Sequence, residues 1–214
     1  MKKAVKMLIA ICFLAVVAGA QSGTEKAPDY LVLVNKTHPL TEGWEENITI
    51  VVDKDPWGED VKIEKTTFEH FEKLQKALLE QGVDIRLDSV YRSEEEQQFL
   101  WDYFEEKYGV EYCQKYVAKP GYSEHNTGLA VDVCMVVDGV ADNDNDHMIE
   151  NRELFAKVHE LMPKYGFILR YMEGKEDITG YAYEPWHLRY VGVEAAQEIT
   201  EKGLTLEEYL GETD

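Results

Sequence analysis

Several polar residues of this chain occur in short motifs whose chemistry would suit metal-dependent hydrolysis. The stretch GYSEHNTGLAVDV contains Ser123, His125 and Asp132. Gly128 lies between the histidine and the aspartate and gives the backbone the freedom to turn both side chains toward one point. A metal that activates water usually has three protein ligands and one open position, and histidine and aspartate are common ligands. The stretch therefore predicts two of the three ligands, His125 and Asp132.

A second segment, EPWHLRY, supplies a candidate for the third ligand. His187 follows Glu184 by three residues, and Pro185 biases that glutamate toward an extended conformation. The arrangement therefore differs from the helical HExxH motif, which binds zinc in one class of metalloproteases. A carboxylate that lies beside a metal without binding it can take a proton from the attacking water. We predict His187 as a ligand and Glu184 as the general base.

Single histidines more often have a structural role than a catalytic one, because histidine is intermediate in burial. We interpret the other four histidines in this way: His38, His70, His147 and His159. For His125 and His187 the surrounding motifs favour a functional site.

The hydrophobic pattern predicts elements that end at these motifs. Apolar runs predict strands at 30–34, 48–53, 85–90, 129–137, 167–169 and 186–191, and helical spacing predicts helices at 66–81, 109–118 and 151–165. Strands and helices alternate without a regular βαβ rhythm. We therefore predict an α+β fold in which helices flank a small, mostly antiparallel sheet, in a single domain.

Arg92 is predicted at a corner between a strand and a helix. Ser93 and Glu96 form a capping box, so a helix should begin directly after Arg92 and include Gln97. A strongly acidic protein that binds a peptide carboxylate needs a local positive anchor, and arginine can bind a carboxylate through two hydrogen bonds. Arg92 is the best candidate by position, with an exposed strand-end arginine as the alternative. We interpret Lys175 and Arg189 as structural.

The N-terminus has the composition of a secretory signal. Residues 1–20 contain three lysines, then an apolar run and Ala-Gly-Ala, so we expect a signal peptide at 1–20, with a retained anchor as the alternative. Residues 21–29 then form a short tether, and 30–214 form the catalytic domain. We expect an exported protein, and the family resemblance given below implies the outer, cell-wall-associated face of a bacterium.

Net charge limits the choice of partners. The whole chain has a formal charge of -20, and removal of the three lysines at 1–20 leaves 19 basic against 42 acidic residues, or -23. This balance argues against nucleic acid or an anionic membrane surface as the main partner.

Two further patterns were weighed as possible sites. Cys113 and Cys134 could form a disulfide in an exported protein, but a buried thiol at Cys134 is at least as consistent with its apolar surroundings. The acidic stretch 142–153 resembles a calcium loop but has His147 in place of the glycine at the sixth position. We interpret it as a polar turn that caps the next helix.

Three motifs together indicate a family. SxHxxGxAxD occurs at 123–132, ExWH at 184–187 and YRSxxxQ at 91–97. In this order they resemble the VanY-like zinc D-alanyl-D-alanine carboxypeptidases, which trim peptidoglycan stem peptides. The resemblance extends over about residues 30–195. Met172 stands where that family would have proline, which alters a loop but no ligand or base position.

The resemblance implies a complete assignment of the site. His125, Asp132 and His187 would bind one zinc ion, and Glu184 would be the catalytic base. Arg92 and Ser123 would bind the terminal carboxylate or the peptide carbonyl of the substrate, and Gln97 would line the pocket. The expected activity is removal of the C-terminal D-amino acid, with D-alanine as the expected residue, from stem peptides or muropeptides. Alternatives are an L,D-carboxypeptidase, a dipeptidase or an endopeptidase on the same scaffold, and a non-catalytic wall-binding module that contains the metal.

Overall fold

The computed structural model describes residues 28–213, which form helices and strands in mixed order. The strands are β1 (Ile50–Lys54), β2 (Asp60–Glu64), β3 (Asp84–Ser89), β4 (Ala130–Val137), β5 (Val140–Asp142), β6 (Phe167–Leu169) and β7 (His187–Tyr190). The α-helices are α1 (Lys65–Leu79), α2 (Glu94–Tyr108), α3 (Val110–Tyr116), α4 (Asn145–Glu150), α5 (Ala156–Leu161), α6 (Glu176–Thr179), α7 (Val193–Lys202) and α8 (Leu206–Leu210). Short 3₁₀ turns occur at Trp44–Asn47, Glu124–Thr127, Arg152–Phe155 and Met162–Tyr165.

A five-stranded sheet in the order β3-β4-β7-β6, with β5 paired to β4, carries the predicted motifs. Every strand pair in it is antiparallel. Strands β1 and β2 form a separate antiparallel hairpin. The predicted α+β fold with a mostly antiparallel sheet is therefore confirmed.

The main core lies between this sheet and helix α1. Val131 and Val133 of β4 share a cluster with Phe71, Leu74 and Leu78 of α1, all at 0–1% exposure. Burial of one such side chain contributes roughly 1.5–3 kcal/mol, so the cluster fixes β4 in place. The start of α1 is also defined by the sequence, because the Glu64 carboxylate accepts hydrogen bonds from the first backbone amides of the helix.

Helix α2 begins as the sequence predicts. The Ser93 hydroxyl accepts from the Glu96 amide at 3.1 Å, and the Glu96 carboxylate accepts from the Ser93 amide at 2.7 Å. This capping box starts the helix directly after Arg92 and leaves that residue between β3 and α2.

Two predicted elements differ from the structure. Residues 30–34 form a turn at 30–31 and irregular chain at 32–34 rather than a strand, and the carbonyls of Tyr30 and Val32 accept hydrogen bonds from the Arg189 guanidinium. The predicted helix 151–165 is α5 between two 3₁₀ turns, and Pro163 lies in the second of these turns.

The predicted signal peptide at 1–20 and most of the tether lie outside the described residues. Within residues 28–213, no helix combines the length and the apolar composition needed to cross a bilayer. Cys113 and Cys134 are both free and buried, which agrees with the buried-thiol alternative. The acidic stretch was predicted as a turn before the next helix, but it contains a short helix of its own: the Asp144 carboxylate accepts from the His147 amide at 2.9 Å and caps α4.

Candidate metal centre and active site

Two adjacent strands and one turn bring the three predicted ligands together. Asp132 on β4 lies directly opposite His187 on β7 in the antiparallel register. His125 comes from the 3₁₀ turn Glu124–Thr127, immediately before β4. Each of the three side chains has one atom that could bind a metal, and these three atoms all lie within 4.8 Å of one another. The structure thus groups three residues that are up to 62 positions apart in the chain.

The Asp132 carboxylate lies between the two imidazoles. Its Oδ2 is 3.2 Å from Nε2 of His125, and its Oδ1 is 2.8 Å from Nδ1 of His187. Burial by itself would raise the pKa of Asp132, but the neighbouring His125 and His187 hold it well below its ordinary value. Asp132 is therefore ionised, which is the form that binds a metal.

In each of the two imidazoles, a hydrogen bond from one ring nitrogen leaves the other nitrogen facing the group of predicted ligands. Nδ1 of His125 donates to the Val90 carbonyl at 2.6 Å, so its Nε2 has a free lone pair. Nε2 of His187 lies 3.3 Å from the Glu124 carboxylate, so its Nδ1 is the nitrogen that faces Asp132 and the other predicted ligands. Histidine ligands of metals usually donate their second N–H in this way.

The donor set fits zinc. Two imidazole nitrogens and one carboxylate oxygen are ligands that catalytic zinc sites use, with bond lengths of roughly 2.0–2.2 Å. Ligand atoms around a tetrahedral zinc would be ~3.4 Å apart with such bonds. The observed separations of 2.8 and 3.2 Å lie close to that value.

Gly128 allows the close approach of the turn to the β1–β2 hairpin. Its φ of +74° lies in the left-handed region, which strains other residues. A Cβ at this position would lie 3.2 Å from Cβ of Glu64. A side chain here would therefore push the turn that carries His125 away from β2.

Glu184 lies beside the ligand group in an irregular segment before β7. Its Oε2 is 3.8 Å from Nδ1 of His187, and its backbone amide donates to the Tyr171 carbonyl at 3.2 Å. Burial raises the pKa of Glu184 to about 7, although His187 and Arg92 act in the opposite direction. A cation held by the three ligands would favour the ionised carboxylate, which can accept a proton.

Arg92 and Gln97 form a hydrogen-bonded pair in the wall of the same cavity. NH1 of Arg92 donates to Oε1 of Gln97 at 2.9 Å, and Nε2 of Gln97 donates to the Ala118 carbonyl at 2.8 Å. Both polar ends of the Gln97 amide are therefore engaged, and Gln97 orients Arg92. The backbone amide of Arg92 donates to the carbonyl of His125 at 3.1 Å, which ties the arginine to the turn with the first ligand.

The guanidinium of Arg92 retains an unused donor. Among the described residues, its buried Nε has no hydrogen-bond partner. Burial lowers the pKa of Arg92, while the nearby Asp132 and Glu184 raise it. Ser123 is 3% exposed and lines the same cavity.

These side chains surround a cavity of 590 Å³. Its wall contains all seven predicted site residues: Arg92, Gln97, Ser123, His125, Asp132, Glu184 and His187. Aromatic residues form much of the remaining wall, including Tyr112, Tyr171, Tyr181 and Trp186.

Two residues near the site were missed by the sequence analysis. Glu124 is 2% exposed and contacts His187, as described above. The hydroxyl of Tyr181 is buried and has no hydrogen-bond partner among the described residues. A carboxylate between Ser123 and His125 in an otherwise buried stretch could have indicated Glu124, whereas nothing in its local sequence distinguishes Tyr181.

Arg189 and Lys175 have the structural roles that we predicted. Arg189 is fully buried and donates to Glu124 at 2.6 Å. Lys175 pairs with Glu208 at 2.8 Å. The histidines outside the ligand group also contact other parts of the protein, as in the hydrogen bond of 2.8 Å from His159 to the Pro185 carbonyl.

Three side chains that could hold zinc, a glutamate beside them and an arginine in the same cavity are the arrangement expected of a zinc-dependent peptidase. Comparison with known proteins identifies the family. The model of the VanY D-alanyl-D-alanine carboxypeptidase family matches residues 60–193. The chain belongs to this family, and it is a zinc-dependent carboxypeptidase that acts on peptidoglycan peptides.

Individual relatives cover nearly the whole described chain. VanXYC of Enterococcus gallinarum, a bifunctional D-Ala-D-Ala dipeptidase and carboxypeptidase, is 41% identical over 84% of this chain and 92% of its own length. A mutant of the vancomycin resistance D,D-pentapeptidase VanY, solved with Zn(II), is 33% identical, with a TM-score of 0.69 over 85% of this chain and 98% of that one. The LdcB LD-carboxypeptidase is 34% identical, with a TM-score of 0.74 over 86% of this chain and 87% of that one.

Proposed function

We propose that this protein removes the C-terminal D-alanine from peptidoglycan stem peptides, with the D-Ala-D-Ala bond as the expected point of cleavage. One observation supports cleavage at the C-terminal end of a peptide. The cavity that contains the ligand group also contains Arg92, which Gln97 orients and whose Nε is buried without a partner among the described residues. A terminal carboxylate has the charge and the acceptors to satisfy that group. This arrangement suits an enzyme that recognises the end of a peptide.

In this proposal His125, Asp132 and His187 hold zinc. When bound there, zinc supplies Lewis acidity, which acidifies a water molecule and polarises the scissile carbonyl. Glu184 lies 3.8 Å from His187 and has no closer ionic partner among residues 28–213, so its carboxylate is available for proton transfer. Its Oε2 takes the proton from the attacking water and then donates it to the nitrogen of the leaving D-alanine.

Arg92 and Ser123 bind the substrate. The Arg92 guanidinium pairs with the terminal carboxylate, and the Ser123 hydroxyl donates to the same carboxylate or to the peptide carbonyl. Gln97 acts through Arg92, because its amide holds the guanidinium by a hydrogen bond of 2.9 Å. The pairing fixes the terminal residue so that its peptide bond faces Glu184.

The names of the relatives describe different, related hydrolysis reactions. The names of VanXYC and VanY describe D,D activities, and that of LdcB describes an L,D-carboxypeptidase. We take the D,D reaction as the primary one because the family model and the relative with 41% identity carry that description. The name of VanXYC also includes a dipeptidase activity, so hydrolysis of free D-Ala-D-Ala is the second candidate.

We also propose that the enzyme acts outside the cytoplasmic membrane. Residues 1–20 have the composition of a signal peptide, and the proposed substrate is a component of the cell wall. Residues 21–29 then form a short tether, and residues 30–214 form the catalytic domain. Expression of the full chain with fractionation of the cells would test this, since a signal at 1–20 predicts a shortened protein outside the cytoplasm.

Mass spectrometry of defined muropeptides after incubation with the zinc-loaded protein tests the activity. Loss of one alanine from a pentapeptide is expected for D,D cleavage. Loss of alanine from a tetrapeptide indicates L,D cleavage, and hydrolysis of free D-Ala-D-Ala indicates the dipeptidase. Internal cleavage of a cross-linked peptide would indicate an endopeptidase. No product from any substrate, with zinc bound, would instead favour a non-catalytic wall-binding module.

A further inference from the structure

Glu124 occupies a position that links one predicted ligand to the interior of the protein. It is 2% exposed and belongs to the same 3₁₀ turn as His125. Its two carboxylate oxygens have different partners. Oε2 lies 3.3 Å from Nε2 of His187, whereas Oε1 accepts from Nε of Arg170 at 2.7 Å and from NH1 of Arg189 at 2.6 Å.

The two guanidiniums are themselves held by the fold. Arg170 makes two hydrogen bonds to Glu207 of α8, at 2.6 and 3.0 Å. Arg189 donates from NH2 to the carbonyls of Tyr30 and Val32 at 3.1 and 2.7 Å. The four charged side chains are all buried and consist of two arginines and two glutamates. Their charges balance, so Glu124 remains an anion in a buried position.

Two guanidiniums donate to Oε1 of Glu124, at 2.7 Å from Arg170 and 2.6 Å from Arg189, so the carboxylate is paired with positive charge as an anion. An ionised carboxylate offers only acceptors. His187 therefore presents a proton to Glu124 from Nε2, and its Nδ1, which lies 2.8 Å from Oδ1 of Asp132, is the nitrogen that a metal between these two residues would bind.

We propose that Glu124 is a positioning residue for the metal centre, which sets the tautomer and the ring orientation of His187 without touching substrate or metal. The inference rests on the proposed role of His187 as a zinc ligand. A single turn then performs two tasks, since its second residue, His125, is itself a ligand and its first residue, Glu124, orients another. The turn is held by the Thr127 hydroxyl, which donates to the Glu124 carbonyl at 2.5 Å.

The substitution Glu124→Gln tests this with almost no change in size. An amide has one oxygen and one NH₂ group, so it cannot accept on both sides. With its oxygen toward Arg170 and Arg189, its NH₂ group faces Nε2 of His187. Two donors in contact would force the proton of His187 to Nδ1 and remove the lone pair that the metal needs.

Glu207→Gln is the matched control, because Glu207 is equally buried in the same network but does not contact His187. Both variants weaken the pairing of Arg170 and should lower stability. Only Glu124→Gln should alter the metal site. Loss of a partner of this kind typically weakens metal binding by about 10- to 100-fold.

The measurements are the zinc affinity of each metal-free protein, by competition with a chelator, and the visible absorption spectrum of its cobalt(II) form. We expect weaker binding and a changed cobalt spectrum for Glu124→Gln, and wild-type values for Glu207→Gln. Equal values for wild type and Glu124→Gln, or equal changes in both variants, would overturn the proposal. A wild-type protein that binds no zinc would instead overturn the proposed function.

Nuclear magnetic resonance of the wild-type protein provides a test that needs no variant to fold. In the zinc-loaded chain with ¹⁵N-labelled histidine, His187 should carry its proton at Nε2, opposite to His125, which should carry it at Nδ1. A zinc-loaded His187 protonated at Nδ1 would contradict the positioning role.

Discussion

NH1 of Arg92 donates a hydrogen bond of 2.9 Å to Oε1 of Gln97, and the second polar atom of that amide is held by the Ala118 carbonyl. Gln97 is 1% exposed, so its amide is fixed by the core of the protein. The direction of the guanidinium is therefore set before any substrate binds. This preorganisation lowers the entropic cost of binding a carboxylate.

Removal of any one ligand should abolish zinc binding and hydrolysis. Wild-type protein should contain about one zinc per chain, because the three side chains form one site with one open position. We expect His125→Ala, Asp132→Ala and His187→Ala to lose most of this zinc, as measured by elemental analysis. His147→Ala is the control, since His147 is exposed and contacts Asp142 instead. Full activity of the metal-free wild type would contradict the assignment.

Glu184→Gln should separate proton transfer from metal binding. The amide keeps the size of the side chain but cannot accept the proton of water at neutral pH. We expect unchanged zinc content and a fall in turnover of roughly two to four orders of magnitude, the range for general acid-base catalysis. Glu173→Gln, an exposed residue paired with Arg152, should have no effect. If zinc were lost together with activity, Glu184 would be a ligand rather than the base.

Tyr181→Phe should lower kcat/KM without lowering the stability of the protein. The buried hydroxyl has no partner among the described residues and lies in the cavity wall, so we expect it to donate to bound peptide. A neutral hydrogen bond contributes about 0.5–1.5 kcal/mol, which corresponds to a loss of roughly 2- to 12-fold in kcat/KM. Stability should not fall. Tyr209→Phe, whose hydroxyl contacts Glu198, is the control. A loss of stability without a change in kcat/KM would assign Tyr181 to packing.

His159 should make the stability of the zinc-loaded protein depend on pH. Burial lowers the pKa of this imidazole, although the hydrogen bond to the Pro185 carbonyl raises it. The unfolded chain therefore binds more protons than the folded chain below about pH 6.5, so the free energy of unfolding falls as the pH decreases from that value. Urea unfolding between pH 5 and 7.5 measures this dependence.

His159→Gln removes this titration and leaves an amide that can still donate to Pro185. We expect a weaker dependence on pH in that range than in the wild type. An identical pH dependence in both proteins would mean that His159 has the same pKa in the folded and unfolded chains.

The sequence predicted the elements that depend on local patterns. The spacing of apolar residues predicted helix α1. The capping box of α2 was predictable because each capping side chain lies within three residues of the backbone amide that it caps. The segment 30–34 was predicted wrongly because its carbonyls bond to Arg189, more than 150 positions away. Local propensity contains no information about such a partner.

The difference between local patterns and contacts of distant residues also applies to the site. Motifs indicated the three grouped ligand candidates, but their meeting depends on the pairing of β4 with β7, which places Asp132 opposite His187. Glu124 was missed because its role is defined by Arg170 and Arg189, which reach it only in the folded chain. Buried polar networks of this kind are satisfied by distant residues, so single-sequence patterns do not reveal them.

The central claim is that the enzyme recognises the free carboxylate of its substrate through Arg92. Removal of one partner of a desolvated charge pair costs about 2–5 kcal/mol. At about 1.4 kcal/mol per factor of ten, Arg92→Ala should lower kcat/KM by roughly thirty- to several-thousand-fold. Arg86→Ala is the control, because Arg86 is half exposed and pairs with Asp84 on the surface.

The most direct test is kcat/KM of wild type and Arg92→Ala on a pentapeptide with a free C-terminus and on the same peptide with a C-terminal amide. We predict that amidation lowers the wild-type value by a factor similar to that of the substitution. Amidation should lower the kcat/KM of Arg92→Ala only slightly further, because the amidation and the substitution remove the same interaction. Equal cleavage of acid and amide by the wild type would contradict the account and favour an endopeptidase.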